Sequence, residues 1–137
     1  MTSFIGFATG DHRYTLNLAS TTWVLYSPTS EMLNSGGVLL GPSTNNLAKY
    51  QAMIGLLMEA LDNDARKTRV YLDSELVFQQ LDWVYTVRNP MLLRTFRRVR
   101  LLERSFEQVT YEHILSHLNV VADSLANYVL DWHIYRT

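Results

Sequence analysis

Cysteine is absent from all 137 residues. That excludes disulfides, thiolate catalysis and cysteine-based zinc or iron–sulfur centres. No apolar run approaches the ~20 residues of a membrane-spanning helix. The N-terminus lacks a basic segment leading into a long apolar stretch, so nothing in it suggests secretion, and an intracellular compartment, cytoplasmic or nuclear, is expected. Charge of either sign is not in excess: 12 Lys+Arg stand against 13 Asp+Glu, a net charge of −1. No global attraction to nucleic acid or acidic membrane follows, although a local basic patch is still allowed. What the sequence does have is 47% hydrophobic and 12% aromatic residues, too many for a disordered chain. The length fits one domain over residues 1–137 that can bury a core without a staple.

The first 43 residues read as strands: Ser3 to Thr9, the alternating Tyr14 to Leu18, Thr21 to Tyr26, and Glu31 to Leu40. Gly36-Gly37 within the last suggests a bulge or close backbone approach. Thr44, Asn45 or Asn46 can cap a helix whose apolar residues recur from Leu47 to Leu61 nearly all the way round, which makes it central. Arg69 to Leu72 is a short buried-type strand and Leu76 to Leu81 a brief helix. Pro90 opens another helix, to about Phe106, then Gln108 to Leu115 is β-prone and Val120 to Ile134 is a last helix. An antiparallel meander entering a βαβα arrangement predicts an α/β fold, a mixed sheet with helices on its faces.

Three segments in this order carry a resemblance. Thr44-Asn45-Asn46-Leu47-Ala48-Lys49-Tyr50-Gln51-Ala52 opens the first helix, Val70-Tyr71-Leu72-Asp73-Ser74-Glu75-Leu76-Val77 ends a strand, and His113 to Asn119 leads into Val120-Val121-Ala122-Asp123-Ser124-Leu125-Ala126-Asn127. They are similar to T-N-N-x-A-E-Y-x-A, V-Y-x-D-S-x-L-V and H-V-P-R-E-x-N-x-x-A-D-x-L-A-N of type 1 ribonuclease H domains, especially those associated with reverse transcriptases of plant retroelements. Val87-Arg88-Asn89-Pro90 resembles the family's V-K-N-P between them. The likeness covers about residues 23 to 131. It implies the RNase H-like fold: a mixed five-stranded sheet, antiparallel meander plus parallel strands, with helices on both faces.

The same resemblance implies cleavage of RNA in RNA–DNA hybrids by two Mg²⁺ ions, held by carboxylates because Mg²⁺ is a hard cation. The family supplies four such groups, and this chain matches two, Asp73 and Asp123. The helix Glu is Lys49, and the first-strand Asp falls at Ala8 or Thr9. A fixed ammonium repels Mg²⁺. It would also relieve the ~3 kcal/mol repulsion of two carboxylates ~5 Å apart at an effective dielectric of 20. Asp11 is the one displaced carboxylate near the first-strand position. The family's R-E stands here as Ser116-His117 and its Pro as Leu115, removing a loop arginine; His113 matches a packed, structural position. The expectation is a catalytically degenerate domain, a pseudoenzyme without a required cofactor, with an active Mg²⁺-dependent ribonuclease as the alternative.

Binding residues are read from the helix that starts at Pro90. Leu92, Phe96, Val99, Leu102 and Phe106 fall on one side, and Arg94, Arg97, Arg98, Arg100 and Arg104 are assigned to the other. Such a face is either solvated and paired by Glu103 and Glu107, a phosphate-binding surface, or a protein contact. Asn45, Asn46 and Trp83 complete the nucleic-acid candidates, Trp83 and Tyr85 either stacking on sugars or bases or anchoring their connector. The aromatic tail from Tyr128 to Tyr135 is a candidate interface for a protein partner or homodimer.

Overall fold

The computed structural model describes residues 3–13, 18–41, 44–83 and 85–115. Three antiparallel strands open it: β1 (Phe4–Arg13), β2 (Leu18–Tyr26) and β3 (Met32–Gly41). Helix α1 (Asn45–Asp62) follows, then β4 (Lys67–Leu72), α2 (Glu75–Leu81), α3 (Pro90–Glu103) and β5 (Gln108–His113). The sheet order is β3-β2-β1-β4-β5, with β4 parallel to both β1 and β5. This is the expected mixed five-stranded sheet. The expected break after Thr9 does not occur, because β1 continues to Arg13 opposite Leu18. The strand expected at Tyr14 to Leu18 falls largely, and the helix expected at Val120 to Ile134 entirely, outside the described residues.

Of the three cap candidates at the start of α1, Thr44 is the cap, and Ser74 and Asn89 cap α2 and α3. Thr44 accepts from the Leu47 N–H, Ser74 from that of Val77, and Asn89 from those of Met91 and Leu92, each satisfying first-turn donors. Helix α1 is central: Tyr50, Met53, Leu56 and Leu57 are fully buried among Leu25, Val70 and Leu72 of the sheet. Tyr50 and Phe96 join α1 to α3 edge to face.

Small residues bring α1 onto the sheet. A Cβ at Gly10 would lie 2.7 Å from the Ala48 carbonyl carbon and 2.8 Å from the Lys49 nitrogen. Only a glycine admits that approach without displacing backbone. Trp23 of β2 fills the space that side chains at Gly36 of β3 and Gly55 of α1 would need. The Gly36-Gly37 pair is therefore a close approach, and the register shifts of β2 and β3 lie elsewhere, at Ala19/Ser20 and Leu25/Tyr26. Side chains alternate across a strand, so Phe7 points away from α1, stacked on Tyr71 at 5.2 Å and edge-on to Tyr26 at 5.8 Å.

Candidate functional site

Strands β1 and β4 run parallel with Ala8 beside Leu72, so Thr9, still within β1, comes next to Asp73, the first residue beyond β4. Ala8 belongs to the buried core. Thr9, 1% exposed, donates from Oγ1 to Asp73 Oδ2 at 3.0 Å. Of the two first-strand candidates, Ala8 and Thr9, Thr9 is the one whose hydroxyl bonds Asp73. From the other direction, α1 delivers Lys49, whose Nζ lies 3.1 Å from Asp73 Oδ1. The close approach at Gly10 brings the backbone of Ala48 and Lys49 against β1. Both oxygens of Asp73 are therefore engaged, one by an ammonium and one by a hydroxyl.

The three side chains present here do not fit a divalent cation. The one carboxylate among them already serves a hydroxyl and an ammonium, and that fixed positive charge opposes a hard cation that binds through carboxylate and other oxygen ligands. Among the described residues no group of three or more His, Asp or Glu side chains could hold a metal ion. Asp123 lies outside the described residues, as do His117 and the aromatic tail. Asp11 lies in β1 opposite Ser20, two residues beyond Thr9.

The second group of candidates divides. Arg94, Arg97, Arg98 and Arg104 are exposed on or just beyond α3. Pro90, Leu93 and Leu101 line a shallow depression with the first three of them. Arg100 is not part of that face and corrects the expectation of five outward arginines. Its guanidinium sits 3.8 Å from the centre of the Trp83 ring and 4.6 Å from that of Phe96. It donates to Glu103 at 3.0 and 3.1 Å and to the Leu81 carbonyl at 2.5 Å, holding the end of α2. Glu103 also accepts from the Tyr111 hydroxyl.

Burial raises the Tyr111 phenol well above its ordinary pKa, and the Glu103 carboxylate pushes it further. The Tyr50 phenol is raised by burial too and donates to Gln80 Oε1 at 2.5 Å. Pairing by Glu103, one of the alternatives the sequence offered, holds for Arg100, whereas sequence reasoning missed Tyr111, which ties that pair to β5.

Trp83 is 76% exposed and occupies the left-handed region at φ 67° just after α2. Its ring packs against Arg100 and Phe96, so it is anchored on one side and open on the other. Asn45 and Asn46 begin α1. His113 closes β5 with its ring 5.8 Å from Phe78. No helix among the described residues is long and apolar enough to cross a membrane.

Comparison with known proteins agrees with this architecture. The profile of the family described as reverse transcriptase-like matches residues 8–129. Ribonuclease HI of Halobacterium salinarum is 35% identical over 113 residues, 82% of this chain and 57% of that protein. The crystal structure of RNase H1 from that archaeon superposes with a TM-score of 0.90 at 32% identity, covering 94% of this chain and 98% of the other. The bifunctional protein Rv2228c of Mycobacterium tuberculosis is 32% identical over 102 residues, 74% of this chain but 28% of that protein. Its N-terminal RNase H domain, solved as a maltose-binding-protein fusion, gives a TM-score of 0.93 at 27% identity over 99% of both chains. LC11-RNase H1, solved in complex with an RNA/DNA hybrid, gives 0.89 at 26% identity, covering 96% and 99%. The chain thus spans less than two thirds of either curated relative's length. Fold, profile and sequence identity together place it in the reverse transcriptase-like family, as an RNase H-like domain.

Proposed function

We propose that residues 1–137 form a single catalytically degenerate RNase H-like domain that binds or scaffolds nucleic acid, an RNA–DNA hybrid or duplex, without cutting it. The observation that carries this reading is the closed state of Asp73, with Lys49 Nζ on one oxygen and Thr9 Oγ1 on the other. Cleavage by two metals needs carboxylates free to hold both ions, and here a cation of the chain pairs with Asp73. Binding is supported by similarity to LC11-RNase H1, which was solved with an RNA/DNA hybrid, and by the arginine face of α3. Arg94, Arg97, Arg98 and Arg104 are the phosphate contacts in this reading, with Asn45, Asn46 and open-faced Trp83 as the further candidates. Asp73 and Asp123 are vestiges of the active site, no metal is required, and the compartment is cytoplasmic or nuclear. A retroelement origin fits the family, and a protein partner or second copy would use the aromatic tail.

Similarity to a protein named ribonuclease HI favours one other reading, a weak Mg²⁺-dependent hybrid nuclease using Asp73, Asp123 and Asp11. Rebuilding the missing ligands separates the two. Lys49→Glu alone is expected to give no cleavage, because the first-strand carboxylate is still missing. Lys49→Glu with Thr9→Asp is expected to give a trace of Mg²⁺-dependent cleavage of a labelled hybrid, lost again on adding Asp73→Asn. Robust cleavage by Lys49→Glu alone would overturn the assignment of Thr9.

A further inference from the structure

Resting on the nucleic-acid-binding reading above, we propose that Lys49 is the resident cation of this site and makes hybrid binding independent of divalent metal. Asp73 is nearly enclosed, its side chain 6% exposed, whereas that of Lys49 is 18% exposed. The ammonium is thus the member of the pair that reaches solvent. It has three N–H donors, and Asp73 Oδ1 takes one of them at 3.1 Å. Among the described residues Asp73 is the acceptor that meets this ammonium, which leaves the other donors for an anionic oxygen brought to the site.

Charge bookkeeping points the same way. A bare carboxylate here would repel a phosphodiester, and a site with several would need metal before one could approach. Lys49 cancels the charge of Asp73, and Thr9 presents a hydroxyl where a further carboxylate would add negative charge. A phosphate therefore meets a neutral pair with its positive end outward, and a charge-assisted hydrogen bond from Lys49 is open to it. Mg²⁺ finds no ligand set among these residues and acts only on the nucleic acid, where it competes with the protein's cations for phosphate. The site has changed from one that must recruit a cation into one that carries its own.

The test is the affinity of the full chain for a labelled RNA–DNA hybrid, by fluorescence anisotropy at constant ionic strength, in EDTA and in MgCl₂. The wild type is expected to bind in EDTA at least as tightly as in Mg²⁺. Lys49→Arg is expected to behave likewise, Lys49→Gln to bind several-fold more weakly in EDTA, and Lys49→Glu about tenfold more weakly, partly recovered by Mg²⁺. Thermal melts of each variant identify any that fails to fold, and Lys49→Gln, which is neutral and shorter but keeps two donors, serves if Lys49→Glu does not fold. Wild-type binding strengthened several-fold by Mg²⁺, or Lys49→Gln binding like the wild type in EDTA, would overturn the proposal. Absence of hybrid binding by every variant in both buffers would instead overturn the nucleic-acid reading, and the inference with it.

Discussion

Asp73 shows how a single substitution changes the meaning of its neighbours. A nearly enclosed carboxylate must be paired, and here the pairing comes from within the chain, through Lys49 and Thr9. Removing the ammonium while keeping its apolar stem leaves that carboxylate with a hydroxyl alone. Lys49→Met is therefore expected to destabilise the fold by about 1–3 kcal/mol, and Lys49→Met with Asp73→Asn by less than the two single changes combined, as read by urea unfolding. Lys49 was legible in the sequence because T-N-N-x-A fixes its helical position. Thr9 was not distinguishable from Ala8, because neither residue is polar enough to declare which side of the strand faces the site. Only the register of β1 against β4 decides it.

At the scale of elements, α3 has two faces that its sequence only partly separates. Stepping about 100° per residue puts Arg100 only about 40° from Phe96, at the edge of the apolar stripe. An arginine at that edge turns inward when aromatic rings and a carboxylate await it, and Trp83, Phe96 and Glu103 provide them. Trp83 arrives from outside the helix, so periodicity within α3 could not reveal it. Arg100→Gln is expected to cost about 2–4 kcal/mol in thermal or urea unfolding, through lost stacking and a stranded Glu103. Arg94→Gln, Arg97→Gln and Arg98→Gln together are expected to change stability by no more than about 0.5 kcal/mol. In our reading they lower the slope of log affinity against log salt by up to about 3, near 0.9 for each duplex phosphate contact.

The same cluster sets an alkaline limit. Tyr50 and Tyr111 both hold their protons more tightly folded than unfolded, where the phenol titrates near 10.0. A raised native pKa means that stability is fully present below pH 10.0 and falls as the pH rises above it. Tyr111→Phe is expected to flatten that fall in urea midpoints taken between neutral and strongly alkaline pH, and an unchanged slope would remove Tyr111 from the account.

At the scale of the whole molecule, the arrangement was legible because each level of the sequence agreed with the next. Strand-rich residues precede a helix that is apolar nearly all round, and the later elements alternate, which leads to a mixed sheet with α1 across it. Boundaries were less legible. β1 runs past Thr9 to Arg13 because its pairing with β2 continues to Leu18, a long-range contact that local alternation does not encode. The shared fold brings Thr9, Lys49 and Asp73 together from three separate elements, as a hydrolytic site would require, while the side chains delivered there form a salt bridge and a hydrogen bond instead.

Incubation of the wild-type chain with a labelled RNA–DNA hybrid in Mg²⁺ and in Mn²⁺, run on a gel that resolves both cut strands and shifted bands, tests this account most directly, with Asp73→Asn as the control for contaminating nuclease. An intact hybrid and a shifted band that fades as salt is raised are expected. Cleavage by the wild type that disappears in Asp73→Asn would contradict the account.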